Sequence, residues 1–315
     1  MSNSTIGIDI GGTHLRVGVV DAAGEILDGE RVATPASLSE IVAATAELAR
    51  KVSRDREDVR AAGAGAAGMI DANGVIRYAP NLTAFIDAPL QALLADALGY
   101  PVRLDNDANV AAIAEVTYGA ARGQSNALVI TLGTGIGGGI VADGNVVRGA
   151  HGFAAEVGHF QIDPNGPLCA CGQRGHWEAL ASGRALGQLA RERAAAGDAP
   201  NLVARVGGDH AAITGVVVGE SARAGEADGL ALLHEYAARV AIGLAGLVNI
   251  LDPSIVVISG GLVELGELLL EPVCAEFGSR IEGADHRPAV PVVAAALGDN
   301  AGVVGAAVLA RELLA

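Results

Sequence analysis

Hydrophobic and polar positions along this chain follow the patterns of short strands that alternate with amphipathic helices. Near the start, three apolar runs separated by glycine-containing turns predict antiparallel strands at residues 6–10, 16–21 and 26–32. Ser37 and Glu40 then have the spacing of a capping box, and the apolar residues that follow predict a helix that extends to Val52. The chain therefore opens with three strands and a capped helix.

The same order of elements occurs twice. The first half continues with predicted strands at 59–64 and 102–104 and helices at 89–98 and 107–118. The second half has predicted strands at 127–132, 140–142, 146–148, 254–259 and 290–296, with helices at 228–249, 265–277 and from residue 300. Residues 196–229 are punctuated by glycines and predict a loop-rich connection with one helix or two. Each half begins with strand, glycine-rich turn and strand, so we predict an α/β fold with an internal duplication.

This duplication predicts two lobes. Gly119, Gly123 and Ser125 loosen the chain between the halves, and the last helix is expected to pack back on the first half. We therefore predict a small N-terminal lobe of residues 1–118 plus 300–315 and a large C-terminal lobe of residues 119–299.

Composition argues against several partners. The chain has 315 residues, of which 51% are hydrophobic but only 3% aromatic, so Ala, Val, Leu and Ile must form its core. A formal net charge of −15 repels phosphate backbones and anionic headgroups, so we expect neither nucleic acid nor a membrane as a partner. The apolar stretches are interrupted well short of the ~18 residues that a membrane span requires. No signal peptide is recognisable and three cysteines suit a reducing compartment, which predicts a cytoplasmic protein.

The basic residues exclude several mechanisms. Of 21 basic residues, 20 are arginines and one is a lysine, Lys51. A Walker A loop, a protein kinase and a pyridoxal enzyme each need a reactive or phosphate-binding lysine. Lys51 lies among charged neighbours near the end of the predicted first helix, which is typical of a solvated helix end. Any phosphate chemistry must therefore rely on other groups.

Three glycine-rich turns are candidates for phosphate binding through backbone N–H groups. The first, Gly11-Gly12-Thr13, follows Asp9, whose carboxylate could hold Mg²⁺ through water; an ordinary tight hairpin is the alternative. The second has five glycines between residues 133 and 139, more than a simple turn needs, which favours the close approach of a ligand. The third, Gly260-Gly261, lies between a strand and a helix and suits an anion or a nucleotide.

These turns, in two duplicated halves, resemble the superfamily of sugar kinases, actin and Hsp70, and other motifs narrow the resemblance to the ROK (repressor, open reading frame, kinase) family. The motifs are Asn-Asp-Ala-Asn at 106–109, the glycine-rich run at 132–139, Ala-Glu-Val-Gly-His at 155–159 and Cys-Ala-Cys-Gly-Gln-Arg-Gly-His-Trp-Glu at 169–178. The resemblance covers essentially the whole chain and is nearest to bacterial glucokinases of that family. It implies two ribonuclease H-like lobes around a central cleft and a homodimer or homotetramer. It also implies Mg²⁺- and ATP-dependent phosphorylation of the 6-hydroxyl of glucose or a related hexose.

The resemblance implies roles for individual residues. Asp107 matches the aspartate that accepts the proton of the sugar 6-hydroxyl, although Asn106 or Asp107 could instead simply cap the helix that follows. The residues that match the family's sugar site are Gly68, Asn81, Asn106, Asp107, Glu156, His159 and Glu178. The residues assigned to the nucleotide site are Asp9, Gly11, Gly12, Thr13, Gly133, Thr134, Gly135, Gly260 and Gly261. Taken singly, Asn81 could lie in an ordinary turn, and Glu156 or Glu178 on a helix surface.

Four potential metal ligands lie close together in the sequence: His159, Cys169, Cys171 and His176. Thiolates and imidazoles in this number suit a structural, tetrahedral Zn²⁺ site. The family usually has cysteine in the place of His176, so the alternative is a lost or weakened site whose loop packs around Trp177. One ring nitrogen of His159 is expected to bind zinc while the other faces a sugar hydroxyl.

Rival functions remain open on the sequence alone. A ROK kinase for fructose, mannose or N-acetylmannosamine would share the motifs above, and inorganic polyphosphate could replace ATP as the donor. A ROK repressor carries an N-terminal winged helix-turn-helix, for which a first strand at residue 6 leaves no room. A sugar-binding protein that has lost catalysis is disfavoured by the presence of Asp107.

Overall fold

The computed structural model describes residues 4–79 and 85–314, which divide into two compact units. The first comprises Met1–Ser125, Gly139–Ala155 and Ala296–Ala315, and the second Asn126–Gly138 and Glu156–Ala295. Segment 139–155 groups with the first unit, whereas the sequence-based division assigned it to the C-terminal lobe. The predicted lobe boundaries remain a prediction.

Strands and helices alternate through both units, in an order close to the predicted one. In the first part of the chain they are β1 (Thr5–Ile10), β2 (His14–Val20), β3 (Ile26–Ala33), α1 (Leu38–Val52), β4 (Ala62–Ala66), β5 (Met69–Ile70), β6 (Ile76–Tyr78), α2 (Leu90–Leu98), β7 (Val102–Asn106) and α3 (Asp107–Thr117). Next come β8 (Ala127–Leu132), β9 (Ile136–Ala142), β10 (Asn145–Val146), α4 (Trp177–Ala181), α5 (Gly183–Ala196), α6 (Pro200–Arg205), α7 (Gly215–Arg223) and α8 (Ala227–Leu251). The last are β11 (Ile255–Ser259), α9 (Glu267–Gly278), β12 (Val292–Ala294) and α10 (Ala301–Arg311).

Two five-stranded sheets share one topology. The first has the strand order β3-β2-β1-β4-β7 and the second β10-β9-β8-β11-β12. In the first sheet β1 pairs antiparallel with β2 and parallel with β4. In the second, β8 pairs parallel with β11, and β9 antiparallel with β10. Each strand of one sheet has a counterpart at the same place in the other, which confirms the predicted duplication.

The last helix packs on the first sheet at glycine positions. A side chain at Gly7 of β1 would collide with the carbonyl oxygen of Val303, and one at Gly63 of β4 with that of Ala306. Because neither strand position carries a Cβ, the backbone of α10 lies directly against β1 and β4. The prediction that the last helix packs on the first half is confirmed.

Helix α1 begins and ends as predicted. The hydroxyl oxygen of Ser37 accepts a hydrogen bond from the Glu40 N–H, and the Glu40 carboxylate accepts one from the Ser37 N–H at 3.1 Å. Lys51 lies in the last turn, with 57% of its side chain exposed, and pairs with Glu30 at 2.5 Å. An exposed ion pair of this kind adds little stability. The single lysine of the chain is therefore a solvated surface residue, as predicted.

The two largest differences from the predicted strand starts are at β4 and β9, because pairing decides where a strand begins. β4 begins at Ala62 rather than at residue 59, since its register with β1 starts with Ile6 opposite Ala62. β9 begins at Ile136 rather than at residue 140, so three glycines that were assigned to the turn belong to the strand.

The second unit contains α8, which at 25 residues is the longest helix of the described residues. The segment predicted to be loop-rich contains α6 and α7, in agreement with the expected one or two helices. In the described part of the chain, α8 is the one helix that is long and apolar enough to cross a membrane. The sequence analysis did not expect an apolar stretch of that length. Most of the apolar window of α8 is buried inside the protein, where the helix packs against α7 and α9, as a core helix does.

Candidate functional site

The turn from β7 into α3 separates the two candidate residues that the sequence could not tell apart. Asn106 is the N-cap: its Oδ1 accepts hydrogen bonds from the N–H groups of Ala108 at 2.9 Å and Asn109 at 3.3 Å. Its Nδ2 donates to the carbonyl of Gly68 at 3.1 Å, which joins two of the predicted sugar-site residues. The capping role therefore falls to Asn106, and the carboxylate of Asp107 is left for other chemistry.

Asp107 is the first residue of α3. The residue is exposed at the surface, but the surrounding protein removes water from its carboxyl group, and this desolvation raises its pKa above the ordinary value of 3.8. A hydrogen bond from the Ala108 N–H at 2.8 Å opposes that rise. A carboxylate with a raised pKa is a stronger base than one in water, which is the property that proton abstraction from a hydroxyl requires.

Asp9 lies at the end of β1, opposite Arg16 in the register with β2. Burial raises the pKa of Asp9 to about 6; Arg16 lowers it, and the carboxylates of Asp107 and Asp299 raise it further. α10 comes close enough that a Cβ at Gly302 would lie 2.6 Å from the Asp9 carboxyl carbon. Asp9 therefore interacts with two further carboxylates and one guanidinium, and carboxylate oxygens of this kind suit a hard divalent cation such as Mg²⁺.

The first glycine turn is a closed hairpin with one open position. The Gly11 N–H donates to the carbonyl of His14 at 3.0 Å, and the Thr34 hydroxyl donates to the carbonyl of Gly11 at 2.6 Å. A Cβ at Gly12 would meet no atom within 4 Å, so packing does not require glycine there. Gly12 and Thr13 are both exposed, and Gly12 has room for a ligand to approach its backbone.

The second unit contains a cavity of about 630 Å³ that brings together three of the predicted nucleotide-site residues, Gly133, Thr134 and Gly261. Gly183 and Gly215, the first residues of α5 and α7, also line it. Helix N-termini present free N–H groups and partial positive charge, which favours a phosphate. Arg184, Arg223 and Glu264 are the charged residues of the lining.

Two other predicted nucleotide-site residues border this region without lining the cavity. Gly260 has φ +91, and a Cβ there would lie 2.5 Å from the carbonyl oxygen of Leu132, so the turn after β11 needs glycine for packing against β8. Gly135 is closed off by Glu178, whose Oε2 occupies the space of a side chain and accepts a hydrogen bond from the Ile136 N–H at 3.0 Å.

Two glycines of the run after β8, Gly138 and Gly139, are required by the packing of the protein itself. A Cβ at Gly138 would lie 2.5 Å from Val157, and one at Gly139 would lie 2.8 Å from the carbonyl oxygen of Ala108. These glycines belong to β9, and close packing of protein on the strand requires them. The expectation that the run as a whole reflects a ligand is therefore wrong for this part of it.

The remaining predicted sugar-site residues of the second unit surround His159. Glu156 precedes the short 3-10 helix Val157–His159, and its Oε2 lies 4.0 Å from His159 Nε2. The other ring nitrogen of His159, Nδ1, lies 3.8 Å from Cys169 Sγ, and Glu178 Oε1 is also 3.8 Å from that sulfur. His159 thus presents one nitrogen to the cysteines and the other to a carboxylate. Asn81 lies outside the described residues.

The four predicted metal ligands form a cluster in which one ligand atom from each lies within 4.8 Å of the others. Cys171 Sγ and His176 Nδ1 are 3.2 Å apart, and Cys169 is buried while Cys171 is exposed. Zinc bonds of about 2.3 Å to sulfur and about 2.0 Å to nitrogen place tetrahedral ligands roughly 3.5 Å apart, so the set fits Zn²⁺. Burial, with a smaller effect of Cys171, raises the pKa of the Cys169 thiol to about 11, so a metal that binds there must displace a proton.

Trp177 packs the motif into the second unit next to this cluster. Its ring is fully buried, it fills the space that a side chain at Gly243 would take, and its Nε1–H donates to the carbonyl of Arg239 at 3.1 Å. Phe160 lies against it with ring centroids 5.7 Å apart. The packing expected for a loop without metal is therefore present together with a metal-ligand geometry.

The sequence analysis missed a hydrogen-bonded group beside the candidate base, formed by buried Asp105 and Asn109 with the partly exposed Arg148 and called here the Asp105 cluster. One signal was available: Asp105 is a charged residue inside a short strand that also contains buried Val102 and Leu104. Its partner Arg148 is 43 residues away, beyond the reach of any local pattern.

Two sheets of one topology, each opening with a hairpin that turns at glycines, define an α/β fold of the actin, hexokinase and Hsp70 superfamily. Within that class, the sequence profile of the ROK family matches residues 5–313. The chain belongs to the ROK family.

Individual relatives extend over nearly the full chain. The glucokinase of Streptomyces coelicolor is 41% identical over 311 residues, which cover 98% of each chain. The crystal structure of a ROK family glucokinase from Streptomyces griseus, in complex with glucose and AMPPNP, matches with a TM-score of 0.87 and 41% identity over 98% of this chain and 99% of that one. The N-acetylmannosamine kinase of Escherichia coli is 33% identical over 98% of both chains. Both units are therefore covered by each comparison.

Proposed function

We propose that this protein is an ATP-dependent glucokinase in which Asp107 is the general base. One observation carries the assignment of the base: Asn106 caps α3, and the neighbouring Asp107 keeps a carboxylate of raised pKa at the start of that helix. The similarity to the two Streptomyces glucokinases at 41% identity supports the choice of reaction and substrate.

The reaction requires few groups. Asp107 accepts the proton of the sugar 6-hydroxyl while that oxygen bonds to the γ-phosphorus of ATP, and the bond from that phosphorus to the β,γ-bridging oxygen breaks to release ADP. We propose that Gly68, Asn81, Asn106, Glu156, His159 and Glu178 hold the hexose. Phosphoryl transfer depends mainly on alignment and charge neutralisation, which suits a chain whose single lysine lies on the surface.

The donor nucleotide is assigned to the cavity of the second unit. Gly133 lines this cavity, but its N–H donates to the carbonyl of Gly135, so the backbone N–H of Thr134 and the starts of α5 and α7 would bind phosphate oxygens there. Asp9, Gly11, Gly12 and Thr13 would contribute from the first hairpin, and Asp9 with its neighbouring carboxylates would hold Mg²⁺. Bound Mg²⁺ supplies positive charge to the β- and γ-phosphates.

Zinc is assigned a structural role. His159, Cys169, Cys171 and His176 would hold it, and it would fix the ring of His159 so that Nε2 faces Glu156 and a sugar hydroxyl. We expect about one zinc per chain, lost in His176→Ala and retained in His176→Cys, because a thiolate is an equally good ligand. Elemental analysis measures the metal, and the fluorescence of Trp177, the single tryptophan, reports its removal by a chelator. Wild-type protein without zinc would contradict the assignment.

N-acetylmannosamine is the second candidate substrate, because the kinase of that sugar from Escherichia coli is 33% identical over 98% of both chains. A coupled ADP-release assay with glucose, mannose, fructose and N-acetylmannosamine decides between them, and we expect the highest kcat/KM with glucose. The same assay with polyphosphate in place of ATP tests the donor.

The decisive variant is Asp107→Ala, for which we expect kcat to fall by about 10³-fold, the range of general-base contributions. Asp96→Ala, at an exposed aspartate of α2 in the same unit, is the matched control and should keep wild-type turnover. Unchanged turnover in Asp107→Ala would refute the assignment of the base, and no turnover of the wild type on any hexose would refute the kinase.

A further inference from the structure

The Asp105 cluster lies beside the candidate base, and the proposed reaction does not use it. Asp105 directly precedes Asn106 in β7 and is 6% exposed. Its Oδ2 accepts a hydrogen bond from Arg148 Nε at 2.7 Å, and its Oδ1 accepts one from Asn109 Nδ2 at 2.9 Å. Burying a carboxylate costs free energy even when a guanidinium pairs with it. Two hydrophobic residues in place of such an ion pair often make a protein equally stable or more stable. The pair therefore calls for a reason other than stability.

The cluster fixes the peptide that leads into α3. Oδ1 of Asp105 also accepts a hydrogen bond from the backbone N–H of Asn106 at 2.8 Å. Asn106 is the cap and Asp107 the first residue of the helix, so the orientation of this one peptide bond sets where both side chains begin. A shift of about 1 Å at a reacting group can cost 10²-fold in rate.

Arg148 connects this peptide to a second segment of the first unit. Its carbonyl accepts a hydrogen bond from the Ala154 N–H at 3.1 Å, which closes a loop of residues 148–154. The chain then continues through Ala155 to Glu156, another of the proposed sugar-site residues. One ion pair thus ties the start of α3 to the segment that leads into Glu156.

Two atoms of the cluster are buried without a hydrogen-bond partner among the described residues: Arg148 Nη2 and Asn109 Oδ1. A buried, unsatisfied polar atom costs free energy, and native proteins keep few of them. Selection for packing alone would remove such a cost, whereas a requirement for the orientation of Asp105 would preserve it.

We propose that Asp105 and Arg148 are a positioning pair, which holds the Asp105–Asn106 peptide and the segment before Glu156 in the arrangement that phosphorylates the sugar. Neither residue touches the reacting atoms. The inference rests on the proposed function, because it concerns the reaction of Asp107.

The test compares Asp105→Asn and Arg148→Ala with wild type, and uses Arg280→Ala as the control because Arg280 forms an exposed ion pair with Glu276 in the second unit. We expect kcat/KM for glucose to fall by about 10- to 100-fold in both cluster variants, with KM for ATP within about twofold. Millimolar guanidinium should restore several-fold activity to Arg148→Ala, whose cavity it can enter, and none to Asp105→Asn. Arg280→Ala should match the wild type.

Wild-type kcat/KM in Arg148→Ala would overturn the proposal, and so would an equal loss for glucose and ATP without rescue by guanidinium. If thermal unfolding shows that Arg148→Ala does not fold, Arg148→Lys decides: a fully active, stable lysine variant overturns the proposal, and a stable but impaired one supports it. Asp107→Ala is assayed in parallel. If it keeps turnover, the proposed function fails, whereas an inactive Asp107→Ala beside fully active cluster variants refutes only the positioning pair.

Discussion

The two hairpins that open the duplicated halves have the same topology and different chemistry. β1 and β8 are both six residues long, and they occupy the same place in their sheets: β1 pairs in parallel with β4, and β8 with β11. The fifth residue of β1, Asp9, therefore corresponds to the fifth residue of β8, Thr131. Asp9 is a carboxylate whose pKa burial raises to about 6, among other charges. Thr131 is a neutral residue whose Oγ1 accepts a hydrogen bond from the Gly137 N–H at 3.1 Å.

The difference shows that a duplicated fold supplies positions, not functions. The first hairpin has an ionisable residue, Asp9, at its fifth strand position and open space beside Gly12. The second satisfies its backbone with its own threonine and with Glu178, and its glycines after residue 137 pack against protein. The first hairpin is therefore suited to a cation and phosphate, and the second to forming a wall of the cavity.

The largest expected difference between the two hairpins is in activity, when the fifth strand position of each is replaced. Asp9→Asn should lower kcat by about 100-fold, because the neutral amide removes a charge that we assign to Mg²⁺. Thr131→Ala should stay within about threefold of the wild type, since it removes one local hydrogen bond. The coupled assay at saturating Mg²⁺ and ATP measures both. Equal losses in the two variants would show that the hairpins share their chemistry after all.

The glycines of the two hairpins should differ in stability when each is replaced by alanine. Gly139→Ala places a Cβ against Ala108 and should lower the free energy of unfolding by about 1–3 kcal/mol. Gly12→Ala should stay within about 0.5 kcal/mol of the wild type, because its side chain would meet open space, and raise KM for ATP instead. Urea unfolding gives the first quantity, and the reverse order of stabilities would refute the packing explanation.

Much of the fold could be predicted because its signals are local. The capping box at Ser37 and the strand Ala127–Leu132 are each complete within a few residues, and the structure reproduces both. The bounds of β4 depend instead on the register with β1, which no short window contains.

The candidate site was predictable in its motifs but not in its division of labour. Asn106 and Asp107 are equally good caps by residue type, and only the geometry of the turn assigns the cap to Asn106. A glycine gives no sign of whether its missing side chain makes room for a ligand or for protein, so Gly139 was assigned to the wrong cause. The ion pair between Asp105 and Arg148 spans 43 residues, and sequence spacing carries no information about it.

The charge of the first hairpin should also cost stability, with a definite dependence on pH. The pKa of Asp9 is about 6 in the folded protein against an ordinary value of 3.8, so the cost to the folded state grows as the pH rises from 3.8 and is complete above about pH 6. Asp9→Asn should therefore raise the free energy of unfolding by about 1–2 kcal/mol at pH 7.5 without Mg²⁺, allowing for partial exposure. The gain should be much smaller at pH 4, close to the ordinary pKa of 3.8, because Asp9 is then protonated in the folded state and only about half ionised in the unfolded state. Urea unfolding at the two pH values, with Thr131→Asn as the control, tests this; a gain independent of pH would contradict it.

The smallest expected effect concerns a position where the chain has alanine although the backbone favours glycine. Ala155 has φ +68, in the left-handed region, directly before Glu156. Ala155→Gly should raise the free energy of unfolding by up to about 1 kcal/mol, because relief of the strained backbone outweighs the added freedom of the unfolded chain. Ala154→Gly, one residue earlier and outside that region, has only the entropic cost and should lower it by about 0.4–1 kcal/mol. Opposite signs at these adjacent alanines would show that the fold holds Ala155 in a backbone conformation that alanine itself disfavours. Equal signs would show that the backbone at Ala155 is not strained.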